Sequence, residues 1–154
     1  MRVLVTVGTT RFDSLIKYID EVFAESPIKF TFQIADGKYK PVNFPFFTFS
    51  NDIDVHYRES DLVICHAGAG TIYKLLEISK KIIIVPNTER TDNHQLDIAA
   101  YMGANGYAIT VTDFSLLKYT IEEISQVRLV PFEKHDFDKT REIVLLSLGK
   151  NQHS

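Results

Sequence analysis

Residues 63–77, VICHAGAGTIYKLLE, decide how this chain folds. Val63 and Ile64 run into Cys65 and His66, the small residues Ala67 to Gly70 follow, and Ile72, Leu75, Leu76 and Ser79 then recur at helical spacing. A buried strand that hands over to a helix through two glycines has two physical explanations. The glycines supply left-handed φ for a tight turn, or they remove Cβ atoms so that a ligand oxygen can approach the main chain. In the second case the amides around Ala69, Gly70 and Thr71 are the unpaired N–H groups of a helix N-terminus, a ready anion site. The third glycine position of a dinucleotide fingerprint is Tyr73 here, and no Lys-Ser/Thr follows Gly70. The turn is therefore neither that fingerprint nor a P-loop.

Outward from this turn, strand and helix patterns alternate. Val3 to Val7 is a β-rich run ending at Gly8, and Leu15, Ile16, Ile19, Val22 and Phe23 then mark one face of a helix. Thr10 and Asp13 have capping-box spacing at its start. Phe30 to Ile34 reads as a strand closed by Asp36-Gly37, Pro41 to Pro45 as a loop, and Phe46 to Phe49 as a short strand. A short helix near 52–59 precedes strand Leu62 to Cys65, and Lys81 to Val85 is a further buried strand cut by Pro86. Leu96, Ala99 and Ala100 mark a helix that Gly103 ends. Tyr107 to Val111 is strand, Leu117, Ile121 and Ile124 helix, and a last helix spans roughly 136–148 with the apolar block Ile143 to Leu146. Continuous Val/Ile strands alternating with helices predict an α/β, Rossmann-like, mostly parallel sheet with helices on both faces. In such sheets ligands bind beyond the carboxyl ends of the strands, where strand order reverses. The turns Gly8-Thr9-Thr10, His66 to Thr71 and Pro86 to Gln95 all fall at that edge.

The bulk numbers bound the function. At 154 residues the chain reads as a single domain spanning 1–154. A net charge of −3 gives no basic field for nucleic acid or acidic lipid. One cysteine excludes an internal disulfide and fits a reducing compartment. Val3 to Val7 is too short for a signal segment or a membrane span, so direct membrane insertion is not expected.

Other candidate residues have competing explanations. Adjacent strand residues point to opposite faces, so Cys65 and His66 diverge and the thiol reads as buried and inert. His66, Asp92 and His94 lack a recognised metal spacing, and no metal is expected. Asp92-Asn93-His94-Gln95 stands at a helix start, where one residue serves as a cap. The His and Gln side chains also suit sugar hydroxyls, which need neutral donors and acceptors. Thr9 and Thr10 fit either a cap or phosphate contacts. Phe44, Phe46, Phe47 and Phe49 read as core packing ahead of a stacking platform, and Lys38-Tyr39-Lys40 as a solvated loop.

VTVGTTRFDSLI, VICHAGAGT and IIIVPN…DNHQLDIA, in that order, together resemble the carboxyl-terminal, nucleotide-sugar-binding domain of family 28 glycosyltransferases. The likeness runs from Met1 to about Thr112. It is nearest to the stand-alone versions, the small catalytic subunit that adds the second N-acetylglucosamine to a dolichol-linked oligosaccharide and its bacterial exopolysaccharide relatives. The resemblance implies the carboxyl-terminal half of a GT-B enzyme. Gly8, Thr9, Thr10, Gly68, Ala69, Gly70 and Thr71 would hold the diphosphate of a UDP-sugar, with Ser50 at the nucleoside. His66, Asn93, His94 and Gln95 would meet sugar and ribose. Family members often place a ribose-gripping carboxylate four residues after the second glycine, where this chain has Lys74, and the nearest acid along the helix is Glu77.

Such enzymes are inverting, need no bound metal or cofactor beyond the UDP-sugar donor, and take their general base from the opposite domain. The catalytic base is thus expected on a partner. The expected function is the nucleotide-sugar-binding subunit of a two-subunit glycosyltransferase that moves N-acetylglucosamine to a lipid-linked acceptor. The alternatives are a UDP-galactose-dependent subunit and a non-catalytic UDP-sugar-binding regulatory module. The expected partner is a small, membrane-anchored Rossmann-like subunit docking on residues 136–154. It would place the chain at the cytoplasmic side of a membrane, peripherally.

Overall fold

The computed structural model of the chain describes residues 1–89 and 94–132. The expected final helix, its apolar block, the docking segment 136–154, and Asp92 and Asn93 lie outside the described residues. Among the described residues, six strands and five α-helices follow in the order β1 (Arg2–Thr6), α1 (Asp13–Val22), β2 (Lys29–Gln33), β3 (Phe46–Phe47), α2 (Ile53–Glu59), β4 (Leu62–Cys65), α3 (Ala69–Glu77), β5 (Ile82–Ile84), α4 (His94–Ala104), β6 (Ile109–Thr110) and α5 (Leu117–Glu123). The strands form one sheet in the order β3-β2-β1-β4-β5-β6, with every pair parallel. The Rossmann-like reading of the sequence holds.

The sheet divides the core in two. Val3, Val5, Leu62, Ile64 and Ile83 pack with α1 and α5, while Leu4, Val63, Cys65, Ile82 and Ile84 pack with α2, α3 and α4. Alternate residues thus serve opposite faces, and both faces are covered. That is why β4 and β5 are apolar at every position. Each such fully buried Val, Leu or Ile stabilises the fold by about 1.5–3 kcal/mol. Further out, β2 keeps Phe30 and Phe32 buried, but Lys29 is exposed and Thr31 half-buried, in a groove that they line with His56 and Glu59 of α2.

Local expectations fail where tertiary contacts override pattern. Phe12, not Thr10, precedes α1, and no side chain of its own caps it. The capping box does not form. Instead Glu89, from the loop after β5, accepts the Ser14 N–H at 3.1 Å, and the Asp13 carboxylate accepts the Lys38 and Tyr39 N–H groups. Val22 lies outside the apolar face, 41% exposed. Gly103 does not end α4, which runs to Ala104. The positive φ falls at Gly106, and a Cβ on Gly103 would meet Thr110 Oγ1 at 3.0 Å, so that glycine permits close approach of α4 to β6. Phe44 packs against Phe30 and Phe32, and Phe47 stacks on His56. Phe46 and Phe49 are exposed, against the core reading.

The loop around Lys38-Tyr39-Lys40 is anchored, not merely solvated. Buried Asp20 accepts the Tyr39 hydroxyl at 2.6 Å and the N–H groups of Val42 and Asn43 at 2.9 and 3.0 Å. The hydrogen bond to this carboxylate, with burial and its charge, pushes the Tyr39 phenol up to about 12.

Candidate functional site at the strand-order switch

Strand order reverses between β1 and β4, so their carboxyl ends form the crevice where an open parallel sheet takes ligands. Thr6 and Cys65 are register partners there, and the His66 N–H donates to the Thr6 carbonyl at 3.3 Å. The Gly8 turn that follows β1 has φ +72°, which glycine adopts without strain. One buried side chain fixes this turn. Gln33 Oε1 accepts from Thr6 Oγ1 at 2.6 Å and from the Val7 and Gly8 N–H groups at 3.0 Å each. Its Nε2 donates to the Gly8 and Thr48 carbonyls at 2.9 and 2.8 Å. An amide suits this task because it both donates and accepts.

The turn after β4 settles what its glycines do. Gly68 has φ −88° and ψ 124°, extended backbone open to any residue, so left-handed geometry is not the reason for it. A Cβ at Gly8 or at Gly68 would instead strike the His66 imidazole, which lies against both. Gly8, His66 and Gly68 therefore form one packed knot. Gly70 differs: nothing lies within 4 Å of a Cβ built there, and the residue is exposed. Helix α3 starts at Ala69 with no side chain capping it. The amides of Ala69, Gly70 and Thr71 thus stand at a helix N-terminus where the dipole favours an anion.

A cavity of about 210 Å³ opens beside this knot, lined by Thr6, Gly8, Thr9, Gln33, Phe49, Ser50, Ile53 and Tyr57. Larger grooves of about 590 and 510 Å³ lie away from the switch point, and neither includes any of the predicted site residues. Burial pushes the Tyr57 phenol up, while hydrogen bonds from Thr71 and Thr6 oppose the shift. Tyr57 thereby ties α2 to the start of α3 and the end of β1. The Cys65 thiol is fully buried and pushed up to about 12 by that burial, as an inert core thiol should be.

The predicted residues separate into those brought together and those not. Gly8, Thr9 and Ser50 line the cavity, with Thr10 next to Thr9 in the chain, and His66, Gly68, Ala69, Gly70 and Thr71 form the adjoining turn. Gln95 is buried, and its Oε1 is engaged by the Asn87 N–H at 2.8 Å, so that oxygen braces the β5–α4 loop. Asn87 in turn donates Nδ2 to the Arg11 carbonyl at 3.0 Å, tying that loop to the Gly8 side. His94 opens α4 and is half-buried. Glu77 ends α3, about 10 Å of helix beyond Gly70. Lys74 pairs with Asp54 of α2 at 2.9 Å.

Sequence reasoning missed Gln33, Tyr57, Asn87 and Glu89. A glutamine closing the Phe30–Ile34 run was the available signal for Gln33. The other three join the site's framework only through contacts between elements distant in the chain.

Comparison with known proteins agrees with this fold. The human UDP-N-acetylglucosamine transferase subunit ALG13 is 36% identical over 125 residues, 71% of this chain and 11% of that protein. A Prochlorococcus marinus (strain MIT 9515) UDP-N-acetylglucosamine–N-acetylmuramyl-(pentapeptide) pyrophosphoryl-undecaprenol N-acetylglucosamine transferase is 31% identical over 141 residues, 83% of this chain and 38% of that one. The chain thus spans well under half of either relative. The NMR solution structure of ALG13 superposes with a TM-score of 0.65 at 20% identity, covering 93% of this chain and 94% of that one, and so shares the fold. Residues 2–144 match the glycosyltransferase family 28 C-terminal domain, and with the switch-point turns in place the chain belongs to that family.

Proposed function

We propose that this chain is the UDP-sugar-binding subunit of a two-subunit inverting glycosyltransferase, moving N-acetylglucosamine to a lipid-linked glycan. The observation that carries the reading is the uncapped start of α3, open at Gly70 and set beside the Gly8 turn, in a family 28 domain. Its amides are donors for a diphosphate, and the cavity edged by Ser50 and Phe49 lies where a nucleoside can extend from it. The relatives' names supply the donor sugar, and the Prochlorococcus relative's name supplies a lipid-linked acceptor.

In the reaction the acceptor oxygen bonds to the anomeric carbon while the bond from that carbon to the UDP oxygen breaks. The electron pair leaves with UDP. Helix-terminal amides that face the diphosphate stabilise the charge as it develops, which is where preorganised donors lower a barrier most. The acceptor hydroxyl must also lose a proton to a base. Among the described residues none that lines the cavity is a carboxylate or a histidine, and the neighbouring His66 is packed in the knot. We assign that base to a membrane-anchored partner subunit, which also places the chain at the cytoplasmic side of a membrane. No described helix is long and apolar enough to cross a membrane.

The test is transfer from UDP-N-acetylglucosamine and from UDP-galactose to a lipid diphosphate-linked acceptor, with and without a co-expressed membrane-anchored partner. Transfer of N-acetylglucosamine only by the pair is expected. Robust transfer by the isolated chain overturns the two-subunit reading, and a preference for UDP-galactose overturns the donor.

A further inference from the structure

Two stretches far apart in the chain edge the cavity at the switch point. One is the turn after β1, with Gly8 and Thr9, and the other follows β3, with Phe49 and Ser50. Gln33, at the end of β2 and 4% exposed, joins them. Its Oε1 accepts only from Thr6, Val7 and Gly8, all of β1 and its turn. Its Nε2 donates both to the Gly8 carbonyl and to the Thr48 carbonyl, next to Phe49, so one planar amide spans the two stretches.

The backbone on the far side of this span is strained. The Thr48 carbonyl also accepts the Ala35 N–H at 3.1 Å, and buried Ala35 holds φ +53°, a left-handed conformation that is unfavourable for a residue with a Cβ. Such strain persists where the surrounding structure over-determines the geometry of a site. The network also continues toward α3. Thr6 hydrogen-bonds with Tyr57, which hydrogen-bonds in turn with Thr71 in the first turn of that helix. Thr6, Gln33 and Tyr57 all line the cavity, so its two edges share one buried polar frame. A ligand that must engage two loops at once binds tightest when their separation is already set, because ordering them then costs nothing on binding.

We propose that Gln33 is a positioning residue that fixes, before any ligand arrives, the span between the Gly8 turn and the Thr48–Ser50 loop, so that a nucleoside diphosphate meets both at once. The assignment rests on the donor-binding reading above, and Gln33 acts through those two loops.

The experiment is NMR titration of the full chain with UDP, with uridine and with inorganic pyrophosphate, for the wild type and Gln33→Glu. The carboxylate keeps an acceptor for the Gly8 turn and removes the donor to Thr48. Gln33→Glu is expected to lose about tenfold for UDP and less than about threefold for either fragment, since each fragment engages one loop only. A loss shared equally by all three ligands, or an unchanged UDP affinity, overturns the assignment and leaves Gln33 a brace for the turn. Thermal melts check folding, and the uncharged Gln33→Met repeats the comparison should the carboxylate unfold the domain. The wild type supplies a test that needs no variant. A span set in advance predicts Gln33 Nε2 protons already protected from hydrogen exchange in the free protein, and scarcely more so with UDP, unlike those of exposed Gln126. Exchange as fast as at Gln126, slowed only by UDP, overturns the positioning role and leaves the donor reading standing. A wild-type chain that binds no UDP, even with its partner, overturns the donor reading itself.

Discussion

Two regions at the strand-order switch use glycine for opposite reasons. At the Gly8–His66–Gly68 knot the missing Cβ makes room for an imidazole, so the space is already filled by the protein. At Gly70, two residues on, the missing Cβ borders open space at the start of α3. One glycine pair builds the edge of the sheet; the other position leaves main-chain donors accessible. Glycines that look alike in sequence therefore divide into a folding role and a binding role, and substitution should separate them.

The largest effect is expected inside the knot. Gly8→Ala and Gly68→Ala each force a methyl into the His66 ring, and Gly8 adds a left-handed φ that alanine tolerates poorly. Overpacking and backbone strain together predict a loss of about 2–4 kcal/mol for Gly8→Ala and somewhat less for Gly68→Ala, by urea denaturation. Because Gly68 is limited by contact alone, the double variant His66→Ala with Gly68→Ala should be less destabilised than the sum of the two singles. Strict additivity would show that His66 is not what Gly68 accommodates.

Gly70→Val tests the other half of the comparison. The fold should melt almost as the wild type does, since open space surrounds the new side chain. UDP affinity should fall by about 1–3 kcal/mol, because the bulk keeps a charged phosphate oxygen from its main-chain N–H donors. A cooperative melt with unchanged UDP affinity would reduce Gly70 to a turn residue and erase the distinction from Gly68.

How much of this could be read beforehand follows from where the information lies. β1, β4 and β5 were legible because both their faces are buried, which writes unbroken Val and Ile into the sequence. β3 and β6 shrink to two residues each, because pairing ends before their apolar patterns do. The turn itself was legible from Ala67 to Gly70. The division between its glycines was not, since it depends on His66 lying against Gly8, which is 58 positions away (66 − 8). Gln33 is the same lesson in polar form. Five hydrogen bonds converge on a side chain that sequence alone presents as one polar residue closing a strand.

Gln95 sharpens the boundary between building and binding on the β5–α4 side. Sequence pattern places its amide on sugar hydroxyls, but Oε1 accepts the Asn87 N–H in a buried setting. Gln95→Ala leaves that N–H unsatisfied and is expected to cost about 1–2 kcal/mol of stability. If the side chain only braces the loop, UDP and UDP-N-acetylglucosamine should weaken alike in calorimetry. A selective loss for the sugar nucleotide would move Gln95 to the binding half through its Nε2.

The smallest effect is expected in the loop that polar contacts with α1 hold in place. Tyr39 donates to buried Asp20, and Tyr39→Phe removes that hydrogen bond while Val42 and Asn43 still satisfy the carboxylate. A loss of about 1 kcal/mol follows, with no change in UDP affinity. The pH dependence identifies the contact. The phenol stands near 10 in the unfolded chain and about 12 in the folded one. Between those values the folded state holds a proton that the unfolded state has released. Its stabilising contribution is therefore complete below about pH 10 and declines as pH rises toward 12. Urea midpoints measured across that window should fall more steeply in the wild type than in Tyr39→Phe. Parallel slopes would mean that the Tyr39 proton is not held by Asp20, and a change in UDP affinity would mean that the anchored loop reaches the site after all.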